Sequence, residues 1–309
     1  MRVKFRGLTH REALIFKGTQ RWAEFSPFVE YSDKEAARWL QAALSFANDP
    51  LPHLYRDSVG INATLPAIKP DQIEQALAPL GKFRTVKIKV AESGQGISDD
   101  LKRIQFVVDR YPNTRIRLDA NGGFSVDQAL ELCSQIKDLP IEYFEQPVST
   151  IDEMVRLRTG LDDLGINIPI AADELIRKAE DPLLVARAQA ASIAVLKVQP
   201  LGGIAETLSI ASESGLDVVI SSALETSIGI SMGLHAAGSL PSLSHDCGLG
   251  TVSLLAGDVV RKPLIPIDGQ LPIDVAEPEP ELLIKYAADP ERTSWWLQRL
   301  SRCWELLQP

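Results

Sequence analysis

Eight short β-rich runs that alternate with helical stretches constrain the fold of this chain more than any other feature. In order they are VGINATLP, TVKIKV, RIRLDANGG, IEYFEQP, IPIAADE, IAVLKVQP, DVVISSALE and SLSHDCGLG, with amphipathic segments such as DLKRIQFVVDRYP between them. Parallel strands joined by helices either close into a barrel or form an open doubly wound sheet. Eight repeats over about two hundred residues favour the barrel, so we predict an α/β fold of that kind.

The segments on either side of this region have a different pattern. RVKFRG, ALIFKG and RWAEFSPF are typical of short strands in a small antiparallel sheet, and Ser32 with Glu35 forms a capping box that begins a helix. Near the end, VVRKPLIPIDGQLPI is strand-like and an amphipathic helix is predicted over residues 292–307. We therefore predict three parts: an α+β domain over 1–55, a barrel over 56–257, and a segment over 258–309 that packs back on the first domain.

Composition and charge narrow the class of protein. The chain has 309 residues, 45% of them hydrophobic, and a net charge of −9, which argues against a nucleic-acid partner. Its cysteines are few and widely spaced, which is typical of a reducing cytoplasm rather than a disulfide framework: Cys133, Cys247 and Cys303. The sequence contains no signal-peptide pattern and no apolar stretch of membrane-spanning length, so we expect a cytoplasmic protein without a membrane partner.

Charged residues stand at the carboxyl ends of five successive predicted strands. They are spaced 24 to 30 residues apart, about one strand plus one helix, and they are Lys89, Asp119, Glu145, Asp173 and Lys197. A single aspartate at a strand end is more often the cap of the next helix. Five such residues at regular spacing instead predict one site, because the carboxyl ends of barrel strands meet at one rim where catalytic residues lie.

Three buried carboxylates in one site repel one another and lose hydration, and a divalent cation relieves both costs. Oxygen ligands without cysteine or histidine favour Mg²⁺, with Mn²⁺ as a substitute ion. In TVKIKV, Lys87 and Lys89 alternate with Val86, Ile88 and Val90, so the lysines share one face of the strand. A partly desolvated lysine beside a bound cation is suited to act as a base.

The motifs KIK, LDANGG, YFEQP, AADE and LKVQPLGG, in this order and spacing, resemble the enolase superfamily in its muconate-lactonising branch. The resemblance covers the whole chain and implies a modified TIM barrel, (β/α)₇β, with a small N-terminal α+β capping domain. It also implies three Mg²⁺ ligands, Asp119, Glu145 and Asp173. Lys89 would be the base on one face of a small carboxylate substrate, with Lys197 on the opposite face.

Further residues receive roles from the same resemblance. Lys87 and Arg117 would be inward-pointing charges that support the site, and Glu174 would orient one of the lysines. The remaining predictions concern contacts with the substrate, for which serines and glycines at strand ends are the candidates: Gly202, Gly203, Ser221, Ser222 and Gly248.

Within the superfamily, FRGLTHREALIFKG, RWAEFSPFVEY, SSALETSIG and CGLGT resemble a group of dehydratases in menaquinone and phylloquinone biosynthesis. That resemblance implies loss of water from 2-succinyl-6-hydroxy-2,4-cyclohexadiene-1-carboxylate to give 2-succinylbenzoate through an enediolate. Two alternatives remain: an N-acylamino-acid racemase or dipeptide epimerase that uses the same two lysines, and a non-catalytic binding barrel. The protein would act as a monomer or a homo-oligomer. His245 and Asp246 are adjacent, so in a strand they face opposite sides and cannot form the His–Asp pair of a related branch.

Overall fold

The computed structural model describes residues 1–2 and 8–308. The predicted strand RVKFRG falls almost entirely outside the described residues, so it stays a prediction. The other two predicted N-terminal strands are present as an antiparallel pair, β1 (Leu14–Lys17) and β2 (Trp22–Phe25).

Seven parallel strands form the central sheet, each preceded or followed by helix. They are β4 (Ala63–Leu65), β5 (Thr85–Lys89), β6 (Arg115–Asp119), β7 (Ile141–Glu145), β8 (Ile170–Ala172), β9 (Ile193–Lys197) and β10 (Asp217–Ser221). Their spatial order follows the chain, from β4 at one edge to β10 at the other. Consecutive neighbours of this kind are the expected result of repeated right-handed strand–helix–strand units.

The eighth predicted run joins the two edges of the sheet without forming a regular strand. Cys247 pairs in parallel with Ile61 beside β4, and Gly248 pairs in parallel with Ser221 at the end of β10. The backbone of this segment is hydrogen-bonded on both sides, through Cys247 N to Gly60 O and Gly248 N to Ile220 O. The predicted barrel of the (β/α)₇β kind is confirmed.

Side chains fill the barrel in layers, as expected for alternating strand residues. A compact apolar cluster occupies the interior below the carboxyl ends of the strands: Tyr143, Ala171, Ile193, Val195 and Val219. Alternate residues such as Ile88, Leu118 and Phe144 point outward into the larger core beneath the helices. The interior cluster therefore fills the barrel beneath the carboxyl ends of the strands.

Most of the outer helices are those the hydrophobic pattern predicts. They are α2 (Ile73–Leu77), α3 (Ile97–Arg110), α4 (Val126–Ile136), α5 (Ile151–Asp163), α6 (Glu174–Arg177), α7 (Leu184–Arg187), α8 (Val198–Leu201), α9 (Ile204–Ser214) and α10 (Ser227–Gly238). Between β8 and β9 the helical structure consists of two single turns, α6 and α7. The hydrophobic pattern does not predict the short turns α6 and α8. Every residue of α10 is buried, because it lies between β10 and the N-terminal domain.

The N-terminal domain and the tail pack on each other at the carboxyl side of the barrel. Helix α1 (Asp33–Asn48) begins at the predicted capping box and contacts β2, α8 and the last helix, α12 (Pro290–Glu305). Phe25 and Trp296 meet edge to face at 5.9 Å between ring centroids. The tail therefore returns to the N-terminal domain. We use the term cap for this domain, including the loop that follows β2 as far as Tyr31.

Of the strand-like tail, only β11 (Gln270–Pro272) is a strand, and it pairs antiparallel with β3 (Ser58–Gly60); the short helix α11 (Pro280–Lys285) follows it. In α12, Trp296 is buried whereas Trp304 is 49% exposed, so the two tryptophans do not both lie on the buried face of the helix. Within residues 1–2 and 8–308, no helix has the length and apolar character needed to cross a bilayer.

Candidate active site

Six charged side chains meet at the carboxyl ends of strands β5 to β9, and we call them the rim cluster: Lys87, Lys89, Asp119, Glu145, Asp173 and Lys197. Lys89, Asp119 and Glu145 are the last residues of three adjacent strands and lie in register with one another. Asp173 follows β8 directly, and Lys197 ends β9. All six are at most 8% exposed. The structure thus brings together the five predicted strand-end residues and Lys87.

Each carboxylate of the rim cluster faces a lysine. Lys89 Nζ lies 2.5 Å from Asp119 Oδ2, and Lys87 Nζ lies 3.1 Å from both that oxygen and Glu145 Oε2. Lys197 Nζ donates to Asp173 Oδ2. These charge-assisted hydrogen bonds compensate part of the cost of burying six ionisable groups.

The two lysines of TVKIKV differ in their proton affinity. Burial lowers the pKa of Lys89, although the negative charge of Asp119 opposes the change. Burial alone would also lower the pKa of Lys87, but Glu145 and Asp119 together raise it above its ordinary value. Lys87 is therefore a permanent cation that supports the carboxylates, and Lys89 is the lysine more easily deprotonated.

The carboxylates supply the donors that a hard divalent cation prefers. Asp119, Glu145 and Asp173 are buried on adjacent strands, and burial together with the charge of Asp119 raises the pKa of Glu145 to about 7. In the arrangement described for residues 1–2 and 8–308, no three Asp, Glu, His or Cys side chains are close enough to hold an ion. The lysines take up the carboxylate oxygens instead. The donor chemistry fits a divalent cation, which would have to displace lysine contacts to bind.

A small cavity of about 30 Å³ lies above the rim cluster. Besides rim residues it is lined by side chains from the cap and the strand ends: Phe28, Thr64, Asn121, Ser221, Ser222, Ala223, Leu224, Gly248 and Thr251. Pockets for small organic molecules typically measure about 300–1,000 Å³. A substrate therefore requires movement of the cap segment or of the lysine side chains before it can enter.

Three of the five predicted substrate contacts line this cavity and two do not. Ser221, Ser222 and Gly248 lie at its wall, where a Cβ on Gly248 would come within 2.4 Å of Ser221 Oγ. Gly202 and Gly203 do not line this cavity, so their role as substrate contacts stays a prediction. They have φ of +102° and +138°, and the positions of their missing Cβ atoms face Gln41 and Ala42 of α1. Their freedom from a side chain serves the turn after α8 and the contact with the cap.

Arg117 does not support the rim cluster, contrary to the prediction. It points inward, but Nε donates to Glu142 Oε2 at 2.5 Å and Nη1 to the carbonyl oxygen of Asp246 at 2.7 Å. It belongs to a separate group at the amino ends of the strands, the basal cluster: Arg84, Arg115, Arg117, Glu142, His245 and Asp246. The long guanidinium side chain can extend toward either end of the barrel, and alternation along a strand does not reveal which end.

His245 and Asp246 also belong to this lower group and point to different partners. His245 Nδ1 lies 3.1 Å from Glu142 Oε1, whereas Asp246 Oδ2 accepts from Thr85 Oγ1 at 2.7 Å. They form no pair at the rim, as the adjacency of the two residues predicts.

Glu174 contacts the rim through a residue that the sequence reasoning missed. Asn121 Oδ1 accepts from Lys89 Nζ at 2.6 Å, and Asn121 Nδ2 donates to Glu174 Oε1 at 3.2 Å. Asn121 has φ of +47°, a left-handed conformation that asparagine tolerates better than most residues. Asn121 lies within the motif LDANGG, but its side-chain contact with Lys89 depends on that backbone conformation.

The family comparisons agree with this geometry. Residues 70–278 match the family described as enolase C-terminal domain-like, and residues 1–47 match the enolase N-terminal domain-like family. Among solved structures, the muconate lactonising enzyme of Pseudomonas fluorescens complexed with muconolactone is 26% identical, with a TM-score of 0.72 over 83% of this chain and 74% of that one. Muconate cycloisomerase from the same organism, at 22% identity, TM-score 0.72 and coverage of 89% and 97%, shares the fold. The chain belongs to the enolase superfamily.

Curated relatives match the chain from end to end. The protein named o-succinylbenzoate synthase in Mycolicibacterium smegmatis is 48% identical over 99% of this chain and 94% of its own length. The protein of that name in Mycobacterium tuberculosis is 47% identical over 100% of this chain and 93% of its own length. With these relatives and this fold, the chain is an enzyme of the carbon–oxygen lyase class, a dehydratase.

Proposed function

We propose that this enzyme is an o-succinylbenzoate synthase that removes water from 2-succinyl-6-hydroxy-2,4-cyclohexadiene-1-carboxylate to form 2-succinylbenzoate. The observation that carries the proposal is the convergence of Lys89 and Lys197 on one cavity beside three buried carboxylates. The end-to-end similarity to proteins of that name supports the choice of substrate.

In the proposed reaction Lys89 acts on the proton of the ring carbon that carries the carboxylate. Its neutral amine takes this proton, and the electron pair of the broken C–H bond moves into an enediolate. The pair then forms the new ring double bond as the neighbouring C–OH bond breaks. The departing hydroxide takes the proton back from Lys89 and leaves as water, so atoms and charge balance and the ring becomes aromatic.

Lys197 remains protonated throughout and does not transfer a proton. Its ammonium group stabilises the negative charge of the enediolate and attracts the forming aromatic ring by a cation–π interaction. Lys87 keeps Asp119 and Glu145 in place from below through its paired contacts. Asn121 accepts a hydrogen bond from Lys89 Nζ and so holds that nitrogen in position.

Asp119, Glu145 and Asp173 would hold the divalent ion, for which we propose Mg²⁺, with Mn²⁺ as a substitute. When bound, such an ion supplies positive charge where the substrate carboxylate gains negative charge. Ser221, Ser222 and Gly248 are the proposed contacts for the succinyl group, because they line the far wall of the cavity.

We propose further that the enzyme works in the cytoplasm in menaquinone or phylloquinone biosynthesis. The three cysteines are free and buried, and the lack of a disulfide among them is typical of proteins from a reducing compartment. The division into residues 1–55, 56–257 and 258–309 stays a proposal about independent parts of the chain. Circular dichroism of a 56–257 fragment, with and without the rest added, would test it.

The second candidate function uses the same two lysines in a racemisation. Lys89 and Lys197 end strands on different sides of the cavity, as acid and base on opposite faces of an α-carbon would require. The test compares kcat/KM for the cyclohexadiene carboxylate with values for N-succinyl amino acids and dipeptides in the presence of Mg²⁺. The proposed function predicts a clear preference for the first substrate and loss of turnover with EDTA. A preference for the amino-acid substrates would replace it with the racemase or epimerase.

A further inference from the structure

Arg177, the last residue of α6, is a buried cation to which the proposed reaction gives no role. It is about 5% exposed, and three of its nitrogen atoms donate to three different residues. Nε donates to Asp173 Oδ1 at 2.9 Å, Nη2 to Glu174 Oε1 at 2.7 Å and Nη1 to Tyr31 Oη at 2.7 Å. Asp173 and Glu174 belong to the barrel and Tyr31 to the cap. One guanidinium group therefore bridges the two parts of the site.

The first branch of this network fixes Asp173. Arg177 occupies Oδ1 of the carboxylate, while Oδ2 faces the rim and accepts from Lys197. Partners on both oxygens define the plane of the carboxylate and keep Oδ2 directed into the site. A lysine at position 177 would have one ammonium group in place of the planar fork and could not hold all three acceptors in this geometry.

The second branch leads to the proposed base. Glu174 Oε1 accepts from both Arg177 and Asn121, and Asn121 in turn accepts from Lys89. Arg177 is thus connected to Lys197 through Asp173 and to Lys89 through Glu174 and Asn121. Displacing its side chain disturbs the surroundings of both lysines at once.

The third contact reaches the part of the cap that closes the cavity. Tyr31 packs edge to face against Phe28, with ring centroids 5.4 Å apart, and its backbone N donates to Phe28 O at 3.1 Å. Phe28 lines the cavity above the rim cluster. Phe28 is therefore one of the groups that would shift if the cap opens to admit a substrate. Tyr31 would move with it, and the buried Nη1 of Arg177 would then lose its acceptor, which is costly.

We propose that Arg177 is a positioning residue that couples closure of the cap to the arrangement of Asp173 and Glu174. The cap is held closed when Tyr31 accepts from Arg177, and the two carboxylates are held in place by the same guanidinium. Such coupling is reciprocal. A ligand that favours the closed cap therefore raises the affinity of the rim for a divalent cation. The inference rests on the proposed function only for the choice of ligand, 2-succinylbenzoate.

The experiment measures the Kd of Mn²⁺ by calorimetry, with and without saturating 2-succinylbenzoate. For the wild-type enzyme we expect the product to lower this Kd by about fivefold or more. Tyr31→Phe removes one hydroxyl and keeps the ring packing, so the Kd without product should change by less than about threefold while the product effect falls below about twofold. Arg177→Lys should raise the Kd without product by about tenfold or more.

Matched controls are available on the surface. Tyr55 is 57% exposed, and Arg187 pairs with Asp181 at the surface of α7, so Tyr55→Phe and Arg187→Lys should reproduce the wild-type values. A wild-type product effect in Tyr31→Phe, or a wild-type Kd in Arg177→Lys, would overturn the proposal. If thermal unfolding shows that Arg177→Lys is not folded, the product effect in Tyr31→Phe alone tests the proposal.

Failure of the proposed function gives a different result. In that case the product neither binds the wild-type enzyme nor changes its Mn²⁺ affinity. The Mn²⁺ Kd of Arg177→Lys, compared with that of Arg187→Lys, still tests whether Arg177 positions Asp173.

Discussion

The rim cluster and the basal cluster lie at opposite ends of the same barrel. Both contain buried carboxylates, but different cations neutralise the carboxylates in the two clusters. In the basal cluster the cations are mainly arginines, and Arg117 alone donates to Glu142, Asn62 and the Asp246 carbonyl. In the rim cluster all the cations are lysines, and a cavity lies above them. Arginine is always charged in proteins, whereas a buried lysine can lose its proton. The first arrangement is suited to holding the barrel together and the second to proton transfer.

Two glutamates on strand β7 show the same contrast within three residues. For Glu142 burial alone would raise the pKa, but the hydrogen bond from His245 and the charge of Arg117 lower it to about 2. For Glu145 burial and the charge of Asp119 act together and raise the pKa to about 7, although Lys87 opposes them. Around Glu142, the nearby positive charge outweighs the cost of burying the carboxylate. Around Glu145, the positive charge of Lys87 does not outweigh burial and the negative charge of Asp119. An added cation would stabilise the ionised form of this carboxylate.

Removing the central arginine of the basal cluster should cause the largest loss of stability. Arg117→Met leaves the acceptors of Glu142, Asn62 and Asp246 without their buried donor, and breaking a buried pair of this kind costs about 3–5 kcal/mol. Urea unfolding at pH 7 measures the loss, with Arg110→Met on the surface of α3 as the control. We expect kcat of the folded variant to fall by less than about tenfold. A stable variant that has lost turnover would place Arg117 in the active site after all.

Replacing Lys197 should reduce kcat more than stability, the reverse of the effect expected for Arg117. Lys197→Ala removes the charge that stabilises the enediolate, so kcat should fall by about 10²–10³-fold. Lys197→Arg keeps a positive charge near Asp173 and should recover part of that loss, because no proton transfer is assigned to this residue. The exposed Lys102→Ala on α3 is the control. Equal inactivation by alanine and arginine would indicate that Lys197 itself moves a proton, as the racemase alternative requires.

Glu142 should have a smaller effect that depends on pH. Its folded-state pKa lies below the ordinary value of 4.5, so its carboxylate stabilises the fold above pH 4.5 and this contribution is lost as the pH falls toward 2. Allowing for solvent screening, Glu142→Gln should cost about 1–2 kcal/mol at pH 7. The difference from the wild type should narrow between pH 5 and pH 3 in urea unfolding, with Glu131→Gln as the control. A difference independent of pH would show that packing, not charge, accounts for the cost.

The rim cluster could be predicted because strand ends recur at one-unit spacing and a barrel brings those ends together. Lys89, Asp119 and Glu145 needed no knowledge of side-chain direction beyond alternation along each strand. Arg117 was assigned to the wrong end because a long side chain can extend either way along the barrel axis. The sequence also does not reveal that Gly202 and Gly203 lie against α1, which is more than 150 residues away in the chain.

The contacts between the cap and the barrel could not be predicted from the sequence for the same reason. Tyr31 and Arg177 are 146 residues apart, and neither belongs to a pattern of spacing that would join them. Their hydrogen bond depends on how the N-terminal domain sits on the barrel. The periodicity of hydrophobic residues predicts the strands and helices of the barrel. It contains no information about how the N-terminal domain is placed on the barrel.

The most direct test of the difference between the two clusters is the kcat of Lys89→Arg with the cyclohexadiene substrate and Mg²⁺. Arginine keeps the positive charge beside Asp119 but does not give up its proton at neutral pH. If Lys89 is the base, kcat should fall by about 10²–10⁴-fold while the urea midpoint stays near that of the wild type. Turnover within about threefold of the wild type would contradict the account, because a permanent cation would then suffice at the rim as it does at the base of the barrel.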